Sequence, residues 1–195
     1  QILDAGGWKR GPDGIRAKEG KRLSLVYQTS INQPRQKTQA IVKQACQKAG
    51  IEVELKSVTP SVFFSSDVAN PDTYTKFYCD LQMYNTTMPW PDPQPFMDQF
   101  VSWEIASKAN KWQGRNVTRW TSDEYDQAFR AAQSELDPVK RAALFIRMND
   151  LVCAAHNVIP IVNRPKAQAI NQQLRATITS WDNDLSHLGS WYREA

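Results

Sequence analysis

The side chains that could do chemistry in this chain are few, and most read as structural. Its two histidines, His156 and His187, read as capping or surface residues more than as bases. Asp182 and Asp184 in the run WDND could pair as general acid and base in a hydrolase, but aspartate is commoner as a turn former. No GxSxG, HExxH, P-loop or GxGxxG is present. Cys46, Cys79 and Cys153 form no CxxC and no Cys/His ligand spacing, so free thiols are expected and neither a metal nor any other cofactor is. Enzymatic function therefore ranks below binding. The strongest binding feature is the stretch 85–96, NTTMPWPDPQPF, with four of the chain's 11 prolines and Trp90 between two of them. An indole on a stiff loop suits stacking on a ligand, because little entropy remains to be lost. Tyr84 would line the same pocket, and Asn85, Thr86 and Thr87 would offer hydrogen bonds to a polar solute. Asn85-Thr86-Thr87 and Asn116-Val117-Thr118 also match the glycosylation triplet, a pattern too common by chance to carry weight.

The elements that must position these residues follow an α/β order. Ile2, Leu3 and Ala5 before Gly6-Gly7 read as the tail of a helix, and Lys9 to Arg22 as turn chemistry with a basic surface. Apolar alternation predicts strands over Leu23–Tyr27 and Ile51–Leu55. Between them, Arg35–Ala49 has helical spacing at Ala40, Ile41, Val42, Ala45, Cys46 and Ala49, with Lys37, Lys43 and Lys48 facing water and Gly50 as the stop. Strand, helix and strand in that order predict a parallel pair with a right-handed crossover. Phe77 to Tyr84 has strand character, with Leu81 and Met83 on one side. Ser122 is the expected cap of a helix through Tyr125, Phe129 and Ala132. Asp137-Pro138 opens another, with Val139, Ala142, Ala143, Ile146 and Cys153 as its apolar stripe. Cys46 and Cys153 are accordingly expected to be buried. Val158–Val162 reads as a buried strand interrupted by Pro160, and the remainder as short strands and turns. Trp8, Trp103, Trp112 and Trp120 read as packing residues in or beside helices.

Composition sets the outer bounds. With 195 residues, 41% hydrophobic and 23% charged, the chain is long enough for a full core without disulfides. No apolar run approaches the ~20 residues of a membrane helix. The net charge of +4 is mild and interspersed, so a nucleic-acid partner is not expected. Gln1 stands where an initiator methionine or a leader would, the pattern expected of a processed chain or an excised segment.

A series of segments carries a resemblance. LDAGGWKRGPDGIR and GKRLSL come first, then RQKTQAIVKQACQKAGIEVELKSV, KFYCDLQMYN leading to PDPQPF, RWTSDEYDQAF, ELDPVKRAALFIRMNDLV and VIPIVNR. Their order and spacing, from Leu3 to about Arg164, resemble the family 5 solute-binding proteins of ABC transporters, the oligopeptide, dipeptide and nickel group. The resemblance implies an α/β fold: a partial lobe of the type II periplasmic-binding-protein kind, its mixed sheet flanked by helices. Residues 1–160 would be the second, C-terminal lobe, and 161–195 a return segment completing the first. It also implies a periplasmic or cell-surface protein that closes its lobes over a peptide or similar polar solute and passes it to an ABC permease. In peptide binders of this family an aspartate in the loop after the matching strand holds the peptide's amino terminus. Here that position is Pro89, and the usual Gly-Trp reads Asn85-Thr86. Asp92 matches the D-P pair of the family and reads as a loop cap. Unless Asp92 takes the missing part, the usual peptides are expected to bind roughly ten- to hundredfold more weakly. A stand-alone interaction module with a Trp-rich face is the alternative reading. The face that normally meets the other lobe, and the sheet partners missing beyond Arg164, also predict self-association or a displaced C-terminal segment.

Overall fold

The computed structural model describes residues 1–88, 91–165, 167, 169–178 and 187–194. The chain forms two compact units, Gln1–Asn85 with Ala106–Val117, and Thr86–Ile105 with Thr118–Ala195.

The first unit begins with the helix α1 (Ile2–Ala5) and three short strands, β1 (Lys9–Arg10), β2 (Arg16–Lys18) and β3 (Lys21–Arg22). These pair antiparallel in the order β1-β2-β3, so Lys9 to Arg22 is a small sheet where turn chemistry alone was expected. Strands of two or three residues are too short to show a period in sequence.

The main sheet holds β4 (Ser24–Ser30), β5 (Glu52–Val58) and β6 (Leu81–Met83) in the order β5-β4-β6, with α2 (Gln33–Ala49) crossing from β4 to β5. All its pairings are parallel; Leu25 faces Val53 and Tyr27 faces Leu55, as the apolar alternation predicts, and Thr29 faces Met83. Because β4 is central, Tyr27, Gln28, Thr29 and Ser30 are all buried, and the expected alternation stops halfway along it. Asn32 caps α2 through the Arg35 N–H, and Gly50 ends the helix in the left-handed region at φ 84°. Arg16 and Arg10 then donate to the carbonyls of Ala49 (2.8 Å) and Lys48 (2.5 Å), placing cations at the negative end of the helix.

The buried face of α2 is turned from the expected stripe. Gln39 is 1% exposed and Ile41 67%. Gln39 donates to the Tyr27 carbonyl of β4 at 2.7 Å and accepts from Ser57 of β5, so a polar side chain ties the helix to both strands. Lys37 and Lys48 are exposed and Lys43 is half-buried. The short helix α3 (Pro60–Phe63) buries Phe63 completely. After it, buried Lys76 donates to the Val68 and Asn70 carbonyls at 2.6 and 2.7 Å, which closes that loop.

The second unit holds α4 (Gln94–Met97), α5 (Asp123–Ser134), α6 (Pro138–Ala154) and an antiparallel pair of β7 (Leu174–Arg175) and β8 (Tyr192–Arg193). Ser122 and Asp137 cap α5 and α6 as expected. The core joins Met97, Phe100, Val101, Tyr125, Phe129, Phe145, Met148 and Val152. The α6 stripe thus runs through Phe145, Met148 and Val152, while Val139 and Ile146 are 77% and 63% exposed and Cys153 is exposed. Phe145, Met148 and Val152 recur at helical spacing on the one face of α6 that joins this core, and Val139 and Ile146 lie off that face. Cys46 and Cys79 are half-buried.

Val158–Val162 forms no strand, and its apolar side chains are exposed, Ile159 at 72% and Val162 at 73%. Pro160 lacks an N–H, and no neighbouring strand pairs with this run among the described residues. Trp112 packs edge-on against Tyr78, and Trp120 against Tyr125. Trp103 instead stays 44% exposed, edge-on to Phe129 with the Arg130 guanidinium 4.7 Å from its ring.

Candidate functional site

In parallel α/β sheets, ligands collect beyond the carboxyl ends of the strands, where loops leave and helix N-termini begin. In the first unit those ends are Ser30, Val58 and Met83. Strand β6 is held level with β4 by a bond from the Thr29 hydroxyl to the Met83 carbonyl, 2.6 Å. The chain then passes to Tyr84 and Asn85, two of the residues singled out in the sequence. Arg35, in the first turn of α2, donates to the Ser30 hydroxyl and to the side-chain oxygen of Asn85, so strand end, helix start and loop start converge on one guanidinium. The same guanidinium lies 5.6 Å from the Phe64 ring. Tyr84 packs with its ring tilted against Tyr74 at 5.3 Å, and Tyr74 meets Phe63 and Phe64 at 6.0 and 5.7 Å. The result is an aromatic wall beside one cation and several hydrogen-bonding groups.

Arg35, Phe64 and Tyr74 were not singled out in the sequence. The signal for Arg35 was its place in the turn directly after a strand end; for the two aromatics there was none, since loops carry no period.

Burial, reinforced by Tyr74 and opposed by Arg115, pushes the Tyr84 phenol up to about 12. Desolvation also raises Tyr27 and Tyr125. A phenol raised in this way supports the fold only while neutral. That contribution is intact below the unfolded value near 10 and is lost as pH rises from there through about 12. Part of the phenolate absorbance should therefore rise only well above pH 10, accompanied by a falling urea midpoint. A single phase near pH 10 for all six tyrosines would contradict this.

The remaining sequence-singled residues belong to the second unit. Thr86 and Thr87 are exposed, and Trp90 lies outside the described residues, as do Pro89, Asp182 and Asp184. Asp92 accepts from the Gln94 N–H at 2.9 Å and from Arg141 at 3.0 and 3.1 Å. The Gln94 N–H first, and Arg141 next, hold its carboxyl below the usual carboxylate range against the opposing effect of burial. Asp92 is thus a loop-capping carboxylate. His156 and His187 are exposed, the first just past α6 and the second preceding a single 3-10 turn. Among the described residues no group of three or more His, Cys, Asp or Glu is placed to hold a metal ion, and no helix is long and apolar enough to cross a membrane.

A parallel strand–helix–strand unit with a polar and aromatic cluster at its strand ends defines part of an α/β lobe. Comparison with known proteins places it in a family: the chain belongs to the bacterial extracellular solute-binding proteins, family 5, whose middle region it matches over residues 1–108. It is 42% identical over 60 residues to Protein XP55 of Streptomyces lividans, a match covering 30% of this chain and 11% of that protein. The fold is similar to that of AppA, the oligopeptide-binding protein of Bacillus subtilis, in complex with a nonapeptide. That match has TM-score 0.71 and 22% identity, covering 100% of this chain and 36% of that one. It is similar also to the oligopeptide-binding protein of Thermus thermophilus complexed with a pentapeptide (0.67, 24%, covering 80% and 27%). A third is NikZ of Campylobacter jejuni in complex with Ni(L-His) (0.63, 17%, covering 80% and 29%). The chain spans well under half the length of each of these relatives, and at such identities the three structures speak to the fold.

Proposed function

We propose that these 195 residues are part of the extracytoplasmic solute receptor of an ABC importer, with residues 1–160 in its second lobe and 161–195 returning to the first. The receptor captures a peptide or a similar polar solute by closing its lobes and hands it to a membrane permease. Membership of family 5 over residues 1–108 is the observation that carries this reading. The aromatic wall of Phe64, Tyr74 and Tyr84 supports it, and so does Arg35 at the strand ends. The wall offers stacking to side chains of varied shape, and Arg35 offers a charge-assisted donor to a carboxylate or carbonyl of the solute. Since proline stands at position 89, the solute's amino group is not a principal anchor.

The test is calorimetry of the complete gene product containing these residues, against trialanine, N-acetyl-trialanine and Ni(II)-histidine. A peptide is expected to bind, and N-acetylation is expected to change its affinity by less than about tenfold. Arg35→Met should weaken binding by about tenfold or more, the usual worth of one charge-assisted hydrogen bond. Absence of binding by all three probes would remove the reading. A large loss on N-acetylation would restore the amine as an anchor.

A further inference from the structure

The second unit contains an arginine that holds three segments at once. Arg141, in the first turns of α6, donates through Nη2 to both oxygens of Asp92 at 3.0 and 3.1 Å and to the Gln94 side-chain oxygen at 3.1 Å. Its Nε donates to the Ala132 carbonyl at 3.0 Å, and its guanidinium lies 4.7 Å from the ring of buried Phe145. Ala132 is in the last turn of α5, where carbonyls lack helical partners and which carries no basic residue of its own. One planar fork therefore joins the loop at 92–94, the end of α5 and the start of α6. A lysine, with a single ammonium head, cannot reproduce that geometry.

We propose that Arg141 is a positioning residue. It latches the end of the proline-rich segment to the α5–α6 hairpin, and Asp92 serves this latch and does not contact the solute. The Gln94 N–H completes the latch by donating to Asp92, and the Phe96 and Met97 N–H groups donate to the Pro93 carbonyl at 3.0 and 2.9 Å. Residues 92–97 are thus held by a bond network that spans 49 residues in sequence. The consequence for solute affinity rests on the receptor reading above; the latch itself does not.

Hydrogen exchange of the 195-residue chain and a double-mutant cycle test it. Arg141→Met and Asp92→Asn should each speed exchange at the Gln94, Phe96 and Met97 amides by about tenfold, with the α5 amides Tyr125 to Ala132 unchanged. Because the two side chains act through one another, the double variant should exchange no faster than Arg141→Met alone. Arg141→Lys, which keeps the charge and the stem but not the fork, should lie between. Unchanged exchange in both single variants, additive effects in the double, or acceleration spread evenly over α5 and α6 would each overturn the latch. In the complete gene product, both single variants should also weaken trialanine binding. If the unsubstituted protein binds no probe, the receptor reading falls while the exchange result still decides the latch.

Discussion

Tyr125→Ala is expected to lower the stability of the second unit by about 3–5 kcal/mol, the range for deleting a large buried aromatic ring. Tyr125 is 0% exposed, with the rings of Trp120 and Phe100 at 5.3 and 6.2 Å. Its hydroxyl donates to the Met97 carbonyl at 2.5 Å, which ties α5 to the end of α4. Tyr125→Phe keeps the ring and removes only that bond, leaving a buried carbonyl without its donor at a cost of about 1–3 kcal/mol. Urea unfolding of both variants, followed by circular dichroism, separates the two contributions. Equal losses in the two variants would mean that the ring's packing counts for little and the hydroxyl for nearly everything, contrary to the burial.

Gly50→Ala is expected to cost about 2–5 kcal/mol, more than its small size suggests. A left-handed backbone at φ 84° penalises any Cβ by about 1–2 kcal/mol. Here the added methyl would also stand 2.8 Å from Arg16 Cγ and 3.0 Å from the Gly14 carbonyl, an overpacking worth about 1–3 kcal/mol. Arg16 cannot retreat freely. It is 8% exposed and donates to Asp4 (2.5 Å), the Trp8 carbonyl (2.6 Å) and the Ala49 carbonyl. Gly14 supplies the control, because it too is left-handed, at φ +81°, yet a Cβ there would meet nothing within 4 Å. Thermal unfolding should show Gly14→Ala losing only the backbone part. Matching losses at the two positions would show that Arg16 yields without cost.

Much of the first unit was legible because its signals are local. The apolar alternation at 23–27 and 51–55, the helix between them and the stop at Gly50 led to the parallel pair found in the structure. The caps at Ser122 and Asp137 were legible for the same reason, since a cap bonds to a backbone N–H two or three residues away. Helix phase was less legible. Ala40, Ile41 and Val42 outweigh Gln39 on any hydropathy count, yet Gln39 is inside because it answers the carbonyl of Tyr27 in the neighbouring strand. On α6, Val139 and Ile146 lost to Phe145 and Met148, which meet the rings of α5.

At the candidate site, Tyr84 and Asn85 could be picked out as residues at a strand end, and Asp92 as a loop cap. The arginines that engage them could not, because Arg35 is 50 positions from Asn85 and Arg141 is 49 from Asp92. By itself the sequence determined the succession of elements, their caps and stops, and the resemblance to family 5, all consequences of short-range backbone bonding and of the order of apolar segments. Tertiary structure alone decided which helix faces are buried, that Val158–Val162 is not a strand, and which cation meets which loop. Those outcomes depend on shape complementarity and on polar groups finding partners across tens of residues, and neither leaves a period in the chain.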